Sequence, residues 1–168
     1  MKRPLTAAFT LIELLVVTAI MMIVIGGSIA GYIQFSEYQT LVVAGREMEN
    51  TIKFAQNRAR IRVIENCASE NFLGYRAVVS AVGTVDVYAL CGSDPASPTQ
   101  APGAIKTTTP PSELDIAGGA ANLDFFTLQS RQPPNVGTNL ITLATTRHTY
   151  SITISSAGVI SSAVTRNP

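Results

Sequence analysis

The chain has 168 residues, enough for one domain and an appendage, and only 14% of them are charged against about 25% in ordinary soluble domains. Twelve Lys and Arg stand against 11 Asp and Glu, a net charge of +1, which excludes a protein built mainly to coat nucleic acid and an acidic disordered tail. One histidine and two cysteines leave too little for a zinc cluster, so the counts speak against an autonomous soluble enzyme and for no metal and no cofactor.

The missing charge is concentrated at the start. Residues 14–36 carry no charged side chain, a run of 23, where a bilayer-spanning helix needs roughly 20 residues. Lys2 and Arg3 precede it, which predicts a cytoplasmic amino terminus and an exported remainder. A cleaved secretory signal is the competing reading. Its apolar core is shorter, however, and ends at a small-residue cleavage site, whereas this run continues into helical periodicity. Glu13 interrupts the plain-anchor reading. A carboxylate near hydrocarbon costs a few kcal/mol, so it either sits at the cytoplasmic face or is neutralised by a neighbouring cation.

The segment Phe9-Thr10-Leu11-Ile12-Glu13-Leu14-Leu15, behind the short basic leader 1–8, resembles the cleavage and methylation motif of type IV prepilins. The resemblance implies that a membrane prepilin peptidase cuts between Ala8 and Phe9, and that the new terminal Phe9 is N-methylated. It makes Glu13 the fifth residue of the mature chain, where the family uses a carboxylate in filament assembly. The family usually has glycine before the cut, and this chain has Ala8. Physically, the cut creates an amine at Phe9 and removes Lys2 and Arg3 from 12 basic residues against 11 acidic ones, turning the side-chain charge from +1 to −1. In a lipid-like filament core, one subunit's amine can meet the next subunit's Glu13. Charges left apart there cost several kcal/mol each, so the pair acts as a register device.

Further along the span, Gly27 and Gly31, with Ser28 and Ala30 nearby, form a small-xxx-small face for close helix packing; the alternative is simple tolerance of glycine in membrane helices. No proline bends this region, and the Gly26-Gly27 pair is the nearest flexible point. Leu41, Gly45, Met48, Ile52, Ala55, Ala59 and Val63 continue an apolar stripe at spacings of three and four. Glu47, Glu49, Lys53, Arg58, Arg60 and Arg62 take the other faces, with Glu49 and Lys53 in the favourable i,i+4 order. The pattern predicts one helix over residues 9–65, about 85 Å long at 1.5 Å per residue. The Arg58-Arg60-Arg62 cluster reads as a solvated face.

From residue 66 the texture turns to short β-rich runs. Residues 72–81 and 84–91 read as a hairpin around Val82-Gly83, with Val85, Val87 and Ala89 on one face. Residues 94–111, rich in Pro, Ser, Thr and Gly, read as a loop or insertion. Four more strands are expected over 123–128, 140–145, 150–154 and 159–164, the last two joined by Ser155-Ser156-Ala157-Gly158. The expected fold class is therefore α+β, a long amino-terminal transmembrane helix packed against a small antiparallel sandwich-like head. The expected divisions are leader 1–8, membrane or filament-core helix 9–36, amphipathic half 37–65 and head 66–168.

The amphipathic Phe54-Ala55-Gln56-Asn57-Arg58-Ala59, the strand pair and the closing Ile152-Thr153-Ile154-Ser155-Ser156-Ala157-Gly158-Val159-Ile160 resemble the GspH/FimT-like minor pilins and pseudopilins. That resemblance implies a structural subunit of a type IV pilus or type II secretion pseudopilus. Its partners are other pilins, prepilin peptidase and, before assembly, membrane lipid. The expected location is the bacterial inner membrane, single-pass, with the head outside the cytoplasm. Some pilus relatives bind DNA through a basic tail, but here residues 161–168 hold one arginine, so nucleic acid is the second choice. In an oxidising compartment Cys67 and Cys91 suggest one bridge, worth roughly 3.5 kcal/mol in the chain-entropy model; two buried thiols are the other reading. His148 reads as a strand or turn residue near the surface, and no nucleophile-elbow, phosphate-loop or metal motif points to a small-molecule substrate.

Overall fold

A computed structural model describes residues 10–63, 67, 71–117, 121–127 and 139–167. The chain forms two compact units, Met1–Glu37 and Tyr38–Pro168. Helix α1 (Leu11–Ile61) starts where Thr10 caps it: the Glu13 N–H donates to the Thr10 carbonyl and to its Oγ1, 3.1 and 3.3 Å away. An N-cap threonine satisfies one of the four N–H groups that a helix start leaves without a partner.

In the first unit α1 runs unbroken through Gly26-Gly27, and the described side chains from 11 to 36 are all exposed. In the second unit the same helix carries the expected stripe. Leu41, Met48, Ile52, Ala55 and Ala59 are buried, joined by Ala44, Val42 and Thr51, which the three-four spacing did not select. Gly45 is required by a close approach: a Cβ there would lie 2.5 Å from the Tyr150 ring. The helix stops at Ile61 rather than at residue 65 because Arg62 turns to φ 53° and the Val63 N–H reaches back to the Arg58 carbonyl. That is a left-handed C-cap built on a residue with a side chain, where glycine is the usual choice.

The head is two antiparallel sheets. β1 (Phe72–Val79) and β2 (Val85–Cys91) form the expected hairpin, with Val79 opposite Val85. β3 (Thr99–Gln100) and β4 (Lys106–Thr108) both pair with β2, so the stretch expected to be a loop folds back along that edge as two short strands. β5 (Asp115–Ala117) crosses to the second sheet, and β6 (Ala121–Phe126) returns beside β1. β7 (Asn139–Ala144), β8 (His148–Ile154) and β9 (Ile160–Arg166) complete the second sheet as a meander, in the order β5-β7-β8-β9. The exchange of β5 and β6 between sheets and the existence of β5 were not expected.

Of the three hairpin turns among the described residues, those of β1–β2 and β8–β9 share one design. Ser80 and Ser155 each accept the N–H of the glycine three residues on, and each hydroxyl accepts the next N–H, from Thr84 and Val159. Gly83 and Gly158 take φ of 80° and 77°, which closes a three-residue loop ending in a left-handed residue. Inward rows such as Tyr75, Ala89 and Phe125, or Ala77, Val87 and Leu123, lie across the first sheet. They share one core with Ile141, Leu143, Tyr150, Ile152, Ile154 and the helix stripe. The whole is an α+β architecture of the pilin-like kind: one long apolar helix and a head of curled antiparallel sheets.

Candidate assembly surface

The exposed half of α1 is the largest apolar surface described. Leu11 is 83% exposed and Ile23 76%, although nothing in their chemistry favours water. Soluble monomers seldom expose contiguous apolar patches beyond a few hundred Å², so this surface belongs against lipid or other helices. It is the one helix, among the described residues, long and apolar enough to cross a membrane, and it suits a single-pass anchor. Glu13 lies in its first turn, exposed, where the partial positive charge of the helix start favours a carboxylate. Thr10 and Glu13 also stand in the capping-box spacing, a signal present in the sequence and missed there. Ala8 and Phe9 lie outside the described residues. Gly27 and Gly31 are exposed, with nothing within 4 Å of where a Cβ would sit, so the chain itself does not occupy that face.

The head is stapled at the end that follows α1. Cys67 and Cys91 form a disulfide with Cα atoms 5.7 Å apart, joining the segment after α1 to the end of β2. Nearby, the Tyr75 hydroxyl donates to the Val63 carbonyl at 2.8 Å.

The second structural device is a polar cluster between α1 and the second sheet. Glu49, expected on a face away from the apolar stripe, is buried. Its carboxylate accepts from Lys53 Nζ at 2.5 Å and from the Tyr150 hydroxyl at 2.9 Å. Burial pushes the Glu49 carboxyl up, but hydrogen bonds from Lys53, Ser162 and Tyr150 outweigh it and hold the group below its usual 4.5. The Tyr150 phenol is raised, chiefly by its burial and also by the Glu49 charge beside it. The i,i+4 pair was legible in the sequence; its burial was not, since Tyr150 and Ser162 come from strands about a hundred residues later. A second pair, Arg76 with Asp124, joins β1 and β6 through bonds of 2.6 and 2.8 Å. Asp124 hydrogen-bonds the Arg76 guanidinium and raises its pKa.

Of the Arg58-Arg60-Arg62 cluster, Arg60 and Arg62 are exposed as expected. Arg58 instead sits 4.8 Å from the Phe54 ring centre, with Lys106 at 5.1 Å from the same ring. His148 opens β8, half-buried rather than at the surface, its ring edge-on to Tyr38 at 5.2 Å. A groove of about 380 Å³ runs between Glu47, Asn50 and Thr51 of α1 and residues 106–109. It holds one carboxylate, one ammonium, an amide and threonine hydroxyls, without a histidine or thiol to serve as base or nucleophile. Among the described residues no group of His, Cys, Asp and Glu could hold a metal ion.

Against this geometry, residues 4–29 match the family described as the prokaryotic N-terminal methylation motif. The amino terminus is a type IV pilin-like methylation segment. The motif indicates a pilin-like or pseudopilin subunit, and with it assembly beside other pilins and processing by prepilin peptidase. It ends inside α1 and leaves the head outside the match. No curated protein and no solved structure matches the chain.

Proposed function

We propose that the chain is a minor pilin or pseudopilin of the GspH/FimT-like kind, a structural subunit and not an enzyme. Prepilin peptidase removes residues 1–8 between Ala8 and Phe9, Phe9 is N-methylated, and the subunit waits in the inner membrane with its amino terminus cytoplasmic and its head outside. It then joins a type IV pilus or type II secretion pseudopilus. There the Phe9 amine of one subunit meets Glu13 of another, and Gly27 and Gly31 allow neighbouring helices to approach. The observation that carries this reading is the methylation motif running directly into a helix half whose described side chains are all exposed. The disulfide supports an extracytoplasmic head, since such bonds persist in oxidising compartments.

The test is mass spectrometry on protein extracted from membranes with an active prepilin peptidase. The expected product lacks residues 1–8 and carries one added methyl group on Phe9. An intact leader overturns the reading.

A further inference from the structure

The last strand of the head has an edge that nothing described covers. β9 pairs with β8 from His148 opposite Arg166 to Ile154 opposite Ile160 without a register shift. Both ends of the ladder are hydrogen-bonded: the Ser155 N–H donates to the Val159 carbonyl, and the Asn167 N–H to that of Arg147. Antiparallel pairs alternate between hydrogen-bonded and non-hydrogen-bonded. Ser161, Ala163 and Thr165 therefore bond to β8, while the N–H and C=O groups of Ile160, Ser162, Val164 and Arg166 point to the open edge.

The short edge strands are blunted. β3 and β4 are two and three residues long, β4 opening with Lys106, and β5 is three residues opening with Asp115. β6, the edge of the first sheet, has one charge, Asp124, which is buried in its pair with Arg76 of β1. Short strands, charges and bulges are the usual protection of an edge against stray pairing. β9 is seven residues long, has no charge before its final Arg166 and contains no proline. From Ser161 to Arg166 both of its faces are exposed. It is also held in place: the Ser151 hydroxyl donates to the Ala163 carbonyl, and the Asn167 side chain bonds to Thr149 and to the Thr145 carbonyl.

We infer that β9 is a docking edge that pairs, main chain to main chain, with an extended uncharged strand of the neighbouring subunit in the filament. The inference rests on the filament reading above. Both faces of β9 are exposed from Ser161 to Arg166, so recognition falls to the backbone, as in strand addition to a sheet edge. The donor is not the β9 of a second copy. Antiparallel self-pairing has its two-fold axis perpendicular to the sheet and would reverse the packed half of α1, whereas subunits anchored in one membrane hold their helices in the same direction. A seven-residue strand falls short of the roughly 1,200 Å² of a stable free interface. The contact therefore needs the high local concentration that membrane or filament tethering supplies.

The test compares amide hydrogen exchange in the full chain, as detergent-solubilised monomer and within sheared filaments. The Ile160, Ser162, Val164 and Arg166 amides are expected to slow roughly tenfold each, the upper worth of one net hydrogen bond. Ser161, Ala163 and Thr165, already bonded to β8, change less. Uniform slowing, or none, overturns the docking edge and leaves the filament reading standing; absence of the chain from filaments overturns both. As a second measure, Val164→Pro removes an edge-facing N–H without breaking the β8 ladder, and its recovery in filaments should fall about tenfold. Val164→Ala should enter at the wild-type level. Equal loss of both variants, or of neither, overturns main-chain pairing.

Discussion

The two halves of α1 differ in composition and in fate: residues 11–36 hold one charged side chain, Glu13, and residues 37–61 hold seven. From residue 11 to 36 every described side chain is exposed, whereas Leu41, Met48 and Ile52 are completely buried. The first half is apolar all round, so no face is left to lie against water. The second has a stripe with charges beside it, and two sheets supply the other wall of the core. Apolar content thus marks where a helix avoids water, and periodicity decides whether the chain's own head can provide the shelter.

Each half has a glutamate, and they offer the sharpest way to break this comparison. Glu13→Gln should leave the head's Tm unchanged and allow processing, while depleting the mature chain from sheared filaments. The Phe9 amine of a partner would lose its counter-charge, and an uncompensated buried ion costs about 3–5 kcal/mol. Wild-type recovery in filaments would remove the register role.

Next in size is a matched pair of truncations. Ile52→Ala should destabilise the head by about 4 kcal/mol, read as a lower denaturant midpoint in the detergent-solubilised chain. Ile23→Ala, in the exposed half, should leave that midpoint where it was. Replacing both Cys67 and Cys91 by Ser should cost roughly 3.5 kcal/mol, and native unreduced protein should resist alkylation until a reductant is added.

Glu49→Gln should cost about 2 kcal/mol, because Lys53 and the Tyr150 hydroxyl lose a charged acceptor. The carboxyl is held below its usual 4.5, so its contribution is complete above that pH and is lost as pH falls through the lowered value. The Tm of the wild type should therefore drop in acid more steeply than that of Glu49→Gln. The smallest effect has the opposite sign. Arg62→Gly should stabilise by about 1 kcal/mol in a thermal melt, since glycine holds the left-handed cap at φ 53° without strain.

Much of this was written in local patterns. Alternation of Val85, Val87 and Ala89 marked their inward face, and Val82-Gly83 and Ser155-Ser156-Ala157-Gly158 marked two of the turns. The stretch 94–111 misled because β3 and β4 are too short to show alternation; they become strands only where β2 offers a ladder. Glu49 misled because i,i+4 spacing to Lys53 describes a helix surface equally well whether solvent or a sheet lies over it.

The sequence by itself determined the methylation motif, the uncharged span, the helix stripe and the hairpins, because each depends on residues within a few positions of one another. Only the tertiary structure decided which cysteine state was realised, that β5 and β6 exchange sheets, that Glu49 is buried under Tyr150, and that no described strand pairs with the outer edge of β9. Those features depend on groups brought together from distant parts of the chain, where burial and pairing follow the packing of whole sheets rather than any local propensity.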